Sequence, residues 1–158
     1  MSVEVGSPAP DFTLRNESGE EVTLSGLQGR NVVLIFYPFA FSSTCTKELH
    51  DVTDLESRFG DANAQVFGIS VDSPFALKAF RDHEQLTPHL LSDFEPKGAV
   101  ARQYGVYRGQ DGTSERALFV IDGEGIVRWS YVSPVGVNPG ADGILNALEA
   151  LQIKGSLA

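Results

Sequence analysis

Val32-Val33-Leu34-Ile35-Phe36-Tyr37-Pro38-Phe39-Ala40-Phe41-Ser42-Ser43-Thr44-Cys45 is the stretch on which the fold turns. From Val32 to Tyr37 it is continuously apolar, rich in β-branched and aromatic side chains, and it stops at a proline. A strand covered on both faces needs such a run, because neither face meets water. Closed by Pro38, the run is far too short to cross a bilayer. Beyond it the period changes. Leu49, Val52, Leu55 and Phe59 fall at helical spacing, with Lys47, Glu48, Asp51, Asp54 and Glu56 among the polar positions. The spacing predicts a helix over 43–59 that begins just ahead of Cys45.

Working outward, Phe12 to Leu14 and Glu21 to Leu24 read as short strands around an Asn16-Glu17-Ser18-Gly19 turn. Gln65 to Val71 is a second core strand. Asp72-Ser73-Pro74 follows as a helix start, with Ser73 as N-cap and Pro74 in the first helical position, and the helix should run to about His83. Leu90-Leu91 mark a short strand and Gly98 to Tyr104 a short helix. Ala117 to Ile121 and Ile126 to Val132 form a hairpin about Asp122-Gly123-Glu124-Gly125. Pro134 to Gly140 is loop, and Ile144 to Leu151 is a last amphipathic helix. This order implies an α/β fold of thioredoxin-like type, a central mixed β-sheet flanked by helices. Crossovers at 43–59 and 74–83 would each join parallel strands. With no repeat, linker or low-complexity tract, residues 1–158 read as one domain.

A chain of 158 residues can bury a substantial core, and 42% hydrophobic with 21% charged residues is the balance of a soluble globular protein. Its net charge of −9, with twelve Lys and Arg scattered singly, argues against a nucleic-acid partner, since affinity there comes largely from cations neutralising phosphates. Met1 to Gly6 has neither the basic start nor the apolar run of a signal peptide, so no membrane partner and a cytoplasmic location are expected. One cysteine allows no internal disulfide, no CxxC chemistry and no cysteine-based zinc cluster. No cofactor and no metal are called for.

That cysteine is placed where its position matters. Cys45 falls in the first turn of the predicted helix, where unpaired backbone N–H groups and the positive end of the macrodipole favour an anion. A thiolate there is stabilised and reactive. The alternative is a buried cysteine acting as a small hydrophobe. On position alone both readings stand.

Pro38, Ser42 and Cys45 match the pattern P-x-x-x-[T/S]-x-x-C, and with the apolar strand before it the chain resembles the peroxiredoxins. The resemblance continues through Phe67-Gly68-Ile69-Ser70-Val71-Asp72-Ser73-Pro74 and runs from Ala9-Pro10-Asp11-Phe12 to the C-terminal helix. It implies a thiol peroxidase in which Cys45 attacks the O–O bond of hydrogen peroxide, an organic hydroperoxide or peroxynitrite. Pro38 would shield the thiolate and narrow the pocket. The Ser42 hydroxyl would bond the thiolate and the peroxide oxygen, and it can equally cap the helix. Arg116, in Glu115-Arg116-Ala117-Leu118-Phe119-Val120-Ile121-Asp122, matches the family arginine that favours the thiolate and holds the peroxide. Without the resemblance it reads as an exposed arginine at a strand end. Glu48 would orient that arginine, or it is a solvated acid favoured by the helix dipole. His50 reads as a surface residue, and the sequence offers no partner for His83 or His89.

A lone cysteine departs from the two-cysteine pattern, so an external thiol or a thioredoxin- or glutaredoxin-like protein must supply the reductant. A single-cysteine chain of this length looks most like the alkyl hydroperoxide reductase E branch. The resemblance also implies a homodimer paired through the active-site loop, with Phe39 and Phe41 as contacts or as ordinary pocket packing. Two rivals come from other classes. One is a cysteine hydrolase with His50 or His89 as base. The other is a non-enzymatic redox sensor or binding module.

Overall fold

The computed structural model describes residues 3–157. In chain order it holds β1 (Thr13–Asn16), β2 (Glu21–Thr23), β3 (Asn31–Phe36), α1 (Ser43–Asp54), α2 (Glu56–Asp61), β4 (Ala64–Ser70), α3 (Pro74–Glu84) and β5 (His89–Ser92). Then come α4 (Ala99–Gln103), β6 (Tyr107–Arg108), β7 (Thr113–Ser114), β8 (Arg116–Ile121), β9 (Val127–Ser133) and α5 (Asp142–Leu157). Seven strands form one sheet in the order β2-β1-β5-β4-β3-β8-β9, and β6 and β7 form a separate ribbon. β3, β4 and β5 are parallel, joined by helical crossovers, while β8 runs antiparallel to β3 and β9 antiparallel to β8. The sheet is therefore mixed, with helices against it.

β3 shows why its sequence is apolar throughout. Val33 and Ile35 point into one core with Leu49, Phe80 and Leu148, while Val32, Leu34 and Phe36 point into a second with Tyr104 and Phe119. Successive side chains alternate across a strand, so two cores leave no position free for a polar residue. Gly68 of β4 makes room on the first side: a Cβ there would lie 2.8 Å from Leu90 Cδ2 and 3.0 Å from the Tyr37 ring.

Two expectations are corrected. The predicted helix over 43–59 is two helices, because the backbone at Leu55 leaves the helical region (φ −108°, ψ 17°). The break is invisible to periodicity, since Phe59 still follows Val52 on the same buried side. The last helix runs beyond Leu151 to Leu157. The β6–β7 ribbon and a short 3-10 turn over Leu24–Leu27 were not expected, and each is too brief to carry a hydrophobic period. The Ser73 and Pro74 start of α3 is as expected, with Ser73 Oγ accepting from Ala76 N–H at 3.2 Å. Among the described residues no helix is long and apolar enough to cross a membrane.

Candidate active site

The site forms where β3 ends and α1 begins. Pro38 is buried just past the strand. Ser42 is the N-cap of α1, in extended conformation (φ −67°, ψ 148°), and its hydroxyl accepts from Cys45 N–H at 3.3 Å. This satisfies one of the free donors of the first turn. Cys45 itself is 0% exposed.

Arg116 opens β8, beside the end of β3. The register pairs Phe36 with Ala117, so the arginine sits next to the strand end from which the loop to Cys45 departs. It is 2% exposed, which corrects the reading of an exposed strand-end cation. Its guanidinium donates in three directions. Nη2 reaches Cys45 Sγ at 3.3 Å, Nη1 reaches Glu48 Oε1 at 2.8 Å, and Nε reaches the Val135 carbonyl at 2.9 Å. Glu48 is 1% exposed, so it is not a solvated acid. Burial alone would suit a cysteine acting as a small hydrophobe. The buried guanidinium adds an N–H donor and a cation directly against the sulfur.

Val135 was missed from the sequence. A carbonyl acceptor has no residue signature, and Pro134 to Gly140 reads only as loop. That loop is pinned to α1 by Asn138 Nδ2 donating to Asp51 Oδ2 at 2.8 Å. The histidines lie elsewhere. His50 Nε2 is 2.7 Å from Glu84 Oε1, His83 Nδ1 is 2.8 Å from Glu84 Oε2, and His89 Nδ1 is 3.0 Å from Glu17 Oε2. Both His83 and His89 therefore have partners that the sequence did not reveal. Among the described residues no imidazole bonds the Cys45 sulfur.

Burial pushes the Glu48 carboxyl up from the usual 4.5 to about 7; the hydrogen bond and charge of Arg116 pull it down, and Asp51 adds to the rise. A carboxyl raised on folding stabilises the protein fully below its unfolded value, and that contribution is lost as pH rises through the folded one. Unfolding free energy should therefore fall between pH 5 and 8 by roughly 2 kcal/mol on this account, at about 1.4 kcal/mol per pH unit. Glu48→Gln, neutral at both ends of that range, should flatten the fall. Denaturant unfolding at the two pH values checks it, and an unchanged difference between them would refute it.

The AhpC/TSA family pattern matches residues 5–130. The chain is 40% identical over 135 residues to alkyl hydroperoxide reductase E of Mycobacterium tuberculosis, covering 85% of this chain and 88% of that protein. It is 35% identical to peroxiredoxin-2 of Bos taurus, covering 94% of this chain and 78% of the relative. Among solved structures, peroxidoxin BcpB from Mycobacterium tuberculosis superposes with a TM-score of 0.85 at 34% identity, covering 94% of this chain and 97% of that one.

Proposed function

The chain belongs to the AhpC/TSA family, and from that premise we propose that it is a thiol-dependent peroxidase working by a one-cysteine mechanism at Cys45. The observation that carries the reading is the buried Arg116 guanidinium 3.3 Å from the Cys45 sulfur. The thiolate attacks one peroxide oxygen. An S–O bond forms as the O–O bond breaks, sulfur is oxidised to the sulfenic acid, and the departing oxygen takes a proton to leave as water or alcohol. Arg116 and the N–H groups of the first turn of α1 stabilise the charge moving onto the oxygens. Ser42 offers its hydroxyl to the reacting oxygen, Pro38 keeps water from the sulfur, and Glu48 aims the guanidinium. The substrates are hydrogen peroxide and organic hydroperoxides, with peroxynitrite a further candidate. The hydrolase reading lacks a base within reach, since among the described residues the side chain that hydrogen-bonds the Cys45 sulfur is Arg116 and not His50 or His89.

The single cysteine sets the second half of the cycle. No internal thiol can condense with the sulfenic acid, so an external thiol or a thioredoxin- or glutaredoxin-like protein forms a mixed disulfide that a second thiolate resolves. Without reductant the protein should consume about one peroxide per chain and stop, and excess peroxide should drive Cys45 on to the sulfinic acid. Intact mass should show one added oxygen, then two, and a thiol adduct when a small thiol is supplied. Sustained turnover with no added thiol would contradict this scheme.

The proposal extends to a single cytoplasmic domain that pairs as a homodimer through the active-site loop. The exposure of Phe39 (47%) and Phe41 (52%) supports the pairing. Sedimentation of the wild type against Phe39→Ser tests it, the variant shifting to monomer.

A further inference from the structure

The segment that delivers the site, residues 38–41, makes few hydrogen bonds to the rest of the chain. Before it, Tyr37 is fixed on both sides of its backbone: its N–H donates to Ile69 O at 3.0 Å, and its carbonyl accepts from Ser114 Oγ at 2.9 Å. After it, Ser42 is anchored as the cap of α1, and its N–H reaches back to Phe39 O at 3.5 Å. Among the described residues, the single hydrogen bond from 38–41 to another part of the chain is Ala40 N–H to Asp72 Oδ2, at 2.8 Å. Phe41 beside it has φ +69°, the left-handed region that a bulky side chain adopts only when its surroundings compel it. Its ring packs on Phe80 with centroids 5.0 Å apart, leaving Ala40 as the polar tether.

Asp72 is itself well fixed. Ser70 Oγ donates to the same Oδ2 at 2.7 Å, and the Asp72 carbonyl accepts from Ser92 Oγ at 2.6 Å. The carboxylate is thereby tied to the end of β4 and the Asp72 backbone to the end of β5, the frame from which the loop is hung. Bonds to an ionised acceptor are roughly twice as strong as neutral ones, so one such bond can set the position of a short loop. From the sequence Asp72 is merely the residue before a helix cap, and nothing local points across to Ala40.

We infer that Asp72 is a positioning residue of the peroxide site, placing Pro38 and the Ser42 hydroxyl relative to the Cys45 sulfur through the Ala40 amide. The inference rests on the peroxidase reading. Peroxide attack needs the reacting atoms aligned, and a misplacement of about 1 Å can cost about 10²-fold. Alkylation by iodoacetamide needs only a reachable thiolate.

The experiment measures both rate constants of Cys45, with hydrogen peroxide and with iodoacetamide, at one pH in the wild type, Asp72→Ala and Asp72→Asn. Asp72→Ala should slow the peroxide reaction by roughly 10- to 100-fold and alkylation by less than about threefold. Asp72→Asn keeps a carbonyl oxygen for the Ala40 N–H and should recover most of the loss. Circular dichroism checks the fold. Should Asp72→Ala fail to fold, Ser70→Ala removes only the hydroxyl that aims Oδ2 and should slow the peroxide reaction alone, by about threefold. An unchanged peroxide rate, or equal losses in both reactions, would overturn the inference. A wild type that is alkylated but leaves peroxide intact would sink the peroxidase reading instead.

Discussion

Cys45→Ser is expected to abolish peroxide reduction while leaving the fold in place. The sulfur is 0% exposed and meets the Arg116 Nη2 at 3.3 Å. A serine hydroxyl fits the same space and can accept that N–H, so no buried polar group is stranded, and the stability change should stay near 1 kcal/mol. What disappears is the nucleophile. A hydroxyl with no base beside it stays protonated at neutral pH and is a poor attacker of an O–O bond, whereas a thiolate is soft and already charged. Removing a nucleophile from a site of this kind costs of order 10⁴-fold or more. The sequence has no second cysteine to supply residual activity. Peroxide consumption by the serine variant within tenfold of wild type would therefore exclude Cys45 as the reacting atom, and a matched melting curve would show that the comparison is between folded proteins.

The parts of the fold that were legible in the sequence are those with a strong local period. The β3 run, the Ser73-Pro74 start of α3 and the β8–β9 hairpin each declare themselves within a few residues. What escaped was local detail without a period, such as the break at Leu55, and contacts between distant positions. Glu17 looks like a solvated turn residue in Asn16-Glu17-Ser18-Gly19. Its side chain is nevertheless 3% exposed, close to Arg81 and His89, and it accepts the Leu90 N–H at 2.9 Å. The turn folds back onto β5, and no rule of turn composition predicts which strand it meets. The site divides in the same way. Ser42 and Cys45 belong to one loop and one helix turn, so their relation is visible in their spacing. Arg116 is 71 residues from Cys45, and only the β3–β8 register brings it there. Without a resemblance to known sequences it would have read as a surface cation.

Arg116→Met should reduce the peroxide rate constant by about 10²- to 10³-fold, the usual loss when one preorganised donor is taken from a developing oxygen charge. The guanidinium faces the sulfur, so part of any loss could come from thiolate formation alone. Alkylation separates the two contributions. Measured at a pH where the alkylation rate has stopped rising, the thiolate is fully formed, and the alkylation rate should then fall far less than the peroxide rate. The substitution also carries a folding hazard, because it strands Glu48 in the core. Breaking a buried ion pair from one side typically costs about 3–5 kcal/mol. Glu48 can soften that cost by taking a proton, since burial already pushes it up to about 7. The double variant Arg116→Met with Glu48→Gln removes the stranded charge altogether. It should regain stability over Arg116→Met alone without regaining peroxide reactivity. Arg116→Lys keeps the charge, but a single ammonium lacks the planar fork that now serves Cys45, Glu48 and Val135 together. It should fall between the wild type and the methionine variant. If at that pH the double variant reduces peroxide as fast as the wild type, Arg116 serves only to form the thiolate, and its place in the peroxide transition state is refuted.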